Sequence, residues 1–210
     1  YATQNRMVTR EDYVIRAMSM PSKFGTVSKA YIASDEQMLP SEVSVSNPLA
    51  VNMYVLTYDS NKNITTLPLA AKENLRTYLS QYRMLTDAIN IKNGYIVNIG
   101  IDFEITVLPG NNSNAVLLRC IKSLGDKYSI DKLSFSSALY KKDMYLCLAN
   151  VEGVQSVTSV TVSNLFTGEY SDHRYDIESA TYRDVIYPSL DPSVFEIKYP
   201  TKDIKGKVIT

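Results

Sequence analysis

From Tyr95 to Val107 every odd position is a bulky β-former: Tyr95, Val97, Ile99, Ile101, Phe103, Ile105 and Val107. The even positions are mostly polar or Gly, with Ile96 the apolar exception. Period-two alternation predicts a strand with one buried and one wetter face. At ~3.3 Å per residue the run spans ~43 Å, far beyond the usual five or six residues. Gly100 is therefore expected to mark a bulge or bend. Pro109-Gly110 stops the run, and Asn112-Ser113 opens a helix.

The same reading places the other elements. Thr9-Arg10-Glu11-Asp12 is a capping box, a Thr cap with an acid three residues on, and predicts a short helix to about Met20. Thr26 to Ala33 reads as a strand. Asp35 to Asn47 is polar and irregular, punctuated by Pro40 and Pro48. Ala50 to Asp59 is a second strand, and the turn Asp59-Ser60-Asn61-Lys62-Asn63 leads into Ile64 to Leu67. Leu75, Tyr78, Leu79 and Tyr82 stand at helical spacing, which predicts an amphipathic helix over 69–84. A short strand from Ala88 to Ile91 precedes the long one. Behind Ser113 as cap, Leu117, Ile121, Leu124 and Tyr128 form another apolar stripe. Ser136 or Ser137 caps a helix carrying Tyr140, Met144, Cys147 and Leu148, Gly153 follows it, and Val154 to Phe166 is strand-like.

A helix, a glycine and a strand recur at Phe24-Gly25-Thr26-Val27 and Glu152-Gly153-Val154. Gly is the expected left-handed stop after a helix. The repeat divides the chain into two α+β subdomains, 1–92 and 93–166. From Thr167 the character changes: Tyr170, Tyr175, Tyr182, Tyr187 and Tyr199 are spread among charges and Pro188, Pro192 and Pro200. Val194 to Tyr199 alternates like a strand. Residues 167–210 read as an arm that lies on the body or on a neighbour, so that its removal is expected to weaken assembly and leave the body folded.

Composition narrows the function. Lys plus Arg and Asp plus Glu are 22 each in 210 residues, giving zero net charge. Nucleic-acid and anionic-membrane binders carry a basic excess, so neither is expected as a partner. Low colloidal repulsion suits a protein held inside an assembly. The 16 tyrosines, against 5 phenylalanines and no tryptophan, fit either protein interfaces, where a ring with a hydroxyl handle is favoured, or strand propensity. No stretch approaches the ~18 consecutive apolar residues of a membrane span. The first residue is Tyr1, which suggests a fragment of a longer chain. Cys120 and Cys147 fall in apolar helical patterns and read as buried free thiols.

Candidate chemistry is sparse. Asp102 and Glu104 share a face of the long strand about 7 Å apart, a spacing that can serve acid–base work or hold a cation, but such residues ordinarily keep an outer face wet. Asp59 to Asn63 matches the start of a calcium loop, which then needs Gly at its sixth place and Glu at its twelfth. Ile64 and Ala70 stand there, so a hairpin turn explains the residues better. Asp172-His173 offers a base beside an acid, without a Gly-x-Ser-x-Gly elbow. No phosphate-cradling loop exists, and two cysteines with one distant histidine make no zinc site. No catalytic residue, metal or cofactor is expected. Lys92 to Val97 is faintly like an RNA-recognition strand, which needs several stacking aromatics on one face. Only Tyr95 and Phe103 are available, on the face expected to be core. Asn63-Ile64-Thr65 and Asn111-Asn112-Ser113 match the glycosylation triplet and read as turns.

Taken in order, the chain shows Val8-Thr9-Arg10-Glu11-Asp12-Tyr13, a helix, Lys29-Ala30-Tyr31, a strand pair, the Leu75 helix, and a long strand ending Leu108-Pro109-Gly110-Asn111. Two helices and Val151-Glu152-Gly153-Val154 follow. Over about residues 7 to 166 this resembles the C-terminal half of the baseplate J-like family of contractile-tail phages, and most nearly its wedge subunits in T-even-type phages. The resemblance implies a structural, non-enzymatic virion protein. It further implies dimers joined in a ring around the tail hub, docking of other baseplate wedge proteins, and assembly in the host cytoplasm. The expected fold is α+β, with two small ferredoxin-like (split β-α-β) subdomains and an extended C-terminal arm. The expected interface residues are Tyr182, Tyr187, Phe195, Ile197 and Tyr199. A ferredoxin-like RNA-binding module is the alternative, and a hydrolase using His173 a third reading.

Overall fold

A computed structural model of the chain describes residues 6–33, 50–83 and 88–209. The irregular reading of Asp35 to Asn47 lies outside the described residues, and the helix predicted over 69–84 ends short, at Ser80, with Gln81 as its C-cap. The fold is α+β and divides into two compact bodies, Tyr1–Tyr95 with Leu190–Ser193, and Ile96–Ser189 with Val194–Thr210.

The first body begins with α1 (Arg10–Met18), and its capping box forms as its residues predict. The Asp12 amide donates to Thr9 Oγ1 at 3.2 Å, and the Thr9 amide donates to Asp12 Oδ2 at 2.8 Å. These bonds satisfy helix-start donors that would otherwise be orphaned. They also hold the Asp12 carboxyl below its ordinary pKa, the Thr9 amide first and the Val8 amide next. A short 3-10 turn leads to β1 (Lys29–Ala33), later than the predicted start at Thr26. Then come β2 (Ala50–Tyr58), β3 (Ile64–Thr65), α2 (Leu69–Ser80) and β4 (Ala88–Asn93). β2 is central. It pairs antiparallel with β1, Tyr31 opposite Tyr54, and parallel with β4, Asn52 opposite Asn90. A split β-α-β unit would place a further strand between such a parallel pair; here β2 and β4 are direct neighbours. Tyr13 and Ala17 of α1, Leu75 and Leu79 of α2, Met53 and Val55 of β2 and Ile89 of β4 share one buried cluster.

The long alternating run forms β5 (Tyr95–Val107). Val97, Ile99, Ile101, Phe103 and Ile105 are buried along one face, as the period demands. α3 (Ser113–Lys127), β6 (Leu139–Tyr140), α4 (Lys141–Ala149) and β7 (Val154–Leu165) follow. α3 is capped by Asn112 rather than Ser113; the Asn112 side-chain oxygen accepts from the amides of Asn114 and Ala115. Its most buried line is Val116, Cys120 and Leu124, with Leu117 and Ile121 on its shoulder. α4 starts at Lys141 without a side-chain cap, because Tyr140 is taken into β6.

No bulge occurs at Gly100. It stands in regular pairing with Ser163 of β7, and a Cβ there would meet Ser163 Oγ at 3.2 Å and the Asp203 carbonyl oxygen at 3.4 Å. The glycine serves close approach instead. The register shifts lie at Glu104/Ile105 and Thr106/Val107, where β7 carries an extra residue each time, Thr158 and Gln155.

The region after 167 is ordered into β8 (Thr181–Tyr182), β9 (Val185–Ile186), β10 (Ser193–Glu196), α5 (Pro200–Asp203) and β11 (Ile204–Val208). β11 runs parallel to β5, Ile204 opposite Ile101 and Val208 opposite Ile105. β10 also pairs with β5, and β6, β9 and β8 make a small separate sheet.

Candidate interaction surface

Each candidate from the sequence has a defined place. On β5, Asp102 and Glu104 stand opposite Lys205 and Lys207 of β11. Glu104 also accepts from the Ser159 hydroxyl at 3.1 Å. Opposite charges across a sheet face are the ordinary way to keep it solvated. Asp59 Oδ1 accepts from the amides of Asn61 and Asn63, each at 2.8 Å, so the carboxylate closes a turn. Phe103 is buried, which removes it from any base-stacking platform, and Asn63 of the first glycosylation triplet is buried too. His173 is half-buried beside exposed Asp172. Among the described residues no three His, Cys, Asp or Glu side chains cluster so as to hold a metal. Burial pushes the Cys120 thiol up to about 11, which suppresses the reactive thiolate. Cys147 is half-buried, its sulfur 3.1 Å from Ser123 Oγ.

The C-terminal region is fastened by polar bonds within the second body. Asn98 Nδ2 donates to Glu196 Oε2 at 2.8 Å, and Asn98 Oδ1 accepts from the Ser171 amide at 2.8 Å; both side chains are fully buried. Tyr170 donates its hydroxyl proton to Asp203 Oδ1 at 2.6 Å, while Asp203 Oδ2 takes the Tyr199 amide at 2.7 Å. Desolvation first, then the bond to Asp203, pushes the Tyr170 hydroxyl far above its ordinary pKa. Lys202 bonds Glu169 at 2.8 Å and holds that carboxyl below its usual range. An open groove of about 690 Å³ runs beside the end of β7, with the Arg174 guanidinium 4.9 Å from the Phe166 ring centre on its wall.

The five expected interface residues separate into two kinds. Phe195 and Ile197 are each 3% exposed, and Phe195 packs edge-on against Tyr175. Tyr199 is half-buried and meets Tyr170 edge-on. Tyr182 and Tyr187 are 60% and 49% exposed. The small sheet adds two neighbours that sequence reasoning missed. Tyr140 lies opposite Val185, and Val185 opposite Tyr182, so the three side chains form a row on one face. Leu139 and Ile186 fill the other, buried face. Two-residue strands carry no readable period, which is why Tyr140 was expected on a helix.

No known protein family matches this chain. No curated protein matches it. Among solved structures the chain is similar to one chain in "Cryo-EM structure of the anti-feeding prophage (AFP) baseplate, 6-fold symmetrised", with 14% sequence identity and a TM-score of 0.51. The likeness is one of fold. It covers 100% of this chain and 39% of that one, so the present chain spans well under half of its neighbour's length.

Proposed function

We propose that this chain is a structural, non-enzymatic part of a contractile phage-tail baseplate, acting as a wedge subunit that self-associates and docks neighbouring wedge proteins. The observation that carries the reading is the likeness of fold, over the whole chain, to a chain from a prophage baseplate. The ordered set of motifs from Val8 to Val154 supports the same relationship. Zero net charge and abundant tyrosine suit a component packed among others. The proposed location is the virion tail, with assembly in the host cytoplasm. The proposed partners are further copies, as dimers within a ring, and other wedge proteins.

The finer division into ferredoxin-like subdomains 1–92 and 93–166 and an arm 167–210 belongs to this proposal. What supports the two subdomains is a small sheet with helices in each body; the direct β2–β4 pairing is a departure from a split unit, and the pairing of β10 and β11 with β5 is a departure from a free arm. The test is immunogold labelling of purified tail particles from cells that make the protein. Label at the baseplate end of the tail is the expected result. Purified tails that lack the protein altogether would overturn the reading.

A further inference from the structure

The small sheet β6–β9–β8 presents an aromatic face that its own body does not cover. Tyr140 is 51% exposed, Tyr182 60% and Tyr187 49%. The first two flank Val185 in one cross-strand row. Tyr187 lies just past β9, but its amide donates to the Ala180 carbonyl at 3.0 Å, so the pairing runs on by one residue and alternation returns Tyr187 to the side of Val185. The hairpin joining β8 to β9 turns on Arg183 and Asp184, with φ of 51° and 62°. Positive φ at both central positions is the type I′ geometry that matches strand twist, and Gly or Asn ordinarily occupies it. Here it holds two charged side chains, with the Arg183 guanidinium 5.1 Å from the Tyr182 ring centre. The Lys141 amide pins the tip by donating to the Asp184 carbonyl at 2.9 Å. A pinned tip presents its side chains with little ordering left to do on binding, and Tyr and Arg are the residue types that dominate such contacts.

We infer that this face, Tyr140, Tyr182, Val185 and Tyr187 with Arg183 and Asp184 at its tip, docks a second copy of this chain across a two-fold axis. The inference rests on the self-association part of the proposed function and names its surface. Charge selects the occupant. The tip carries one positive and one negative side chain side by side, so it is neutral and complementary to itself. A two-fold contact sets Arg183 of each copy against Asp184 of the other. A partner of single-sign charge would leave one of the two unmatched. Area sets the strength. The three half-exposed rings offer on the order of 300 Å² per copy, below the ~800 Å² of a standard interface side. The contact is therefore weak between free chains and fills when a symmetric assembly raises the local concentration.

The test is sedimentation of the full 210-residue chain from micromolar to millimolar concentration. The mass should rise reversibly toward a dimer. Tyr182→Glu should weaken dimerisation at least tenfold with unchanged circular dichroism, since the residue is exposed. Arg183→Asp alone and Asp184→Arg alone should each remain monomeric, because each sets like charges against each other in its own dimer. An equimolar mixture of the two should dimerise again, since the mixed pair restores both attractions. Dimers of wild type that these variants do not disturb would overturn this surface and leave self-association standing. Loss of dimerisation in both single variants without recovery in the mixture would overturn the two-fold pairing. A wild-type chain that stays monomeric at millimolar concentration would overturn both the inference and the self-association it rests on.

Discussion

Gly206 shows how much one hydrogen can decide. A Cβ there would lie 2.4 and 2.6 Å from ring carbons of Phe103 and 2.7 Å from Leu117 Cδ2. Phe103 is fully buried in the middle of β5, so its ring cannot simply move aside into solvent. Overpacking of that kind costs about 1–3 kcal/mol. Gly206→Ala should lower stability by that amount in urea unfolding, with the slope unchanged. An unaltered midpoint would mean that the β5–β11 pairing is looser than its register implies. At this scale the sequence was legible where chemistry is local. Thr9 and Asp12 identify a capping box because both partners lie within four residues. Gly100 misled because a glycine in a strand signals either a bulge or a close approach. The close approach comes from Ser163 and Asp203, which nothing near Gly100 in the chain announces. The true irregularities fall at Thr158 and Gln155, ordinary polar residues without a bulge signature.

Elements were legible in proportion to their length. Thirteen residues of alternation identify β5, and nine apolar-rich residues identify β2, whereas β6, β8 and β9 are two residues each and have no period to read. β11 alternates as Ile204, Gly206, Val208, but two lysines and a glycine hide it. What fixes the C-terminal strands beside β5 is instead a polar clamp invisible to patterning. Asn98 sits at an even position of β5, on the face expected to be wet, and yet is 1% exposed. Its amide donates to Glu196 of β10 and its oxygen takes the Ser171 amide, while its carbonyl accepts from Asn164 of β7 at 3.0 Å. Asn98→Leu keeps the bulk and the backbone bond but strips Glu196 and the Ser171 amide of this partner. A hydrogen bond contributes about 0.5–1.5 kcal/mol net and one to a charged group about 1.5–3 kcal/mol, so losing both should cost about 2–4 kcal/mol in thermal or urea unfolding. Hydrogen exchange at Ser171 should quicken along with it. Protection at Ser171 equal to wild type would show that the clamp is dispensable.

On the scale of the molecule, the two bodies differ in what they draw from the far end of the chain. The core cluster of the first body, from Met7 to Ile89, is built wholly from its own stretch of sequence. The second body buries Val194, Phe195, Ile197 and Ile204, and β11 supplies a parallel strand to β5. Parallel pairing between residues some hundred positions apart is a relation that no local pattern encodes. For this reason a Tyr- and Pro-rich tail reads as an arm when seen as sequence alone. The consequence for truncation is specific. Ending the chain at Ser193 removes β11, opens the Ile101–Ile105 edge of β5 and leaves Phe103 and its neighbours without their cover. Each large apolar side chain stripped from a core costs about 2–5 kcal/mol, and four such losses exceed the stability of a typical domain. The truncated chain should therefore lose the unfolding transition of its second body. The first body should keep its own transition, visible by calorimetry and by hydrogen-exchange protection of β2. A truncated chain retaining both transitions would show that β11 and its neighbours lie on the body without completing it, and the weakened assembly expected from deleting the tail would then be a matter of contacts alone.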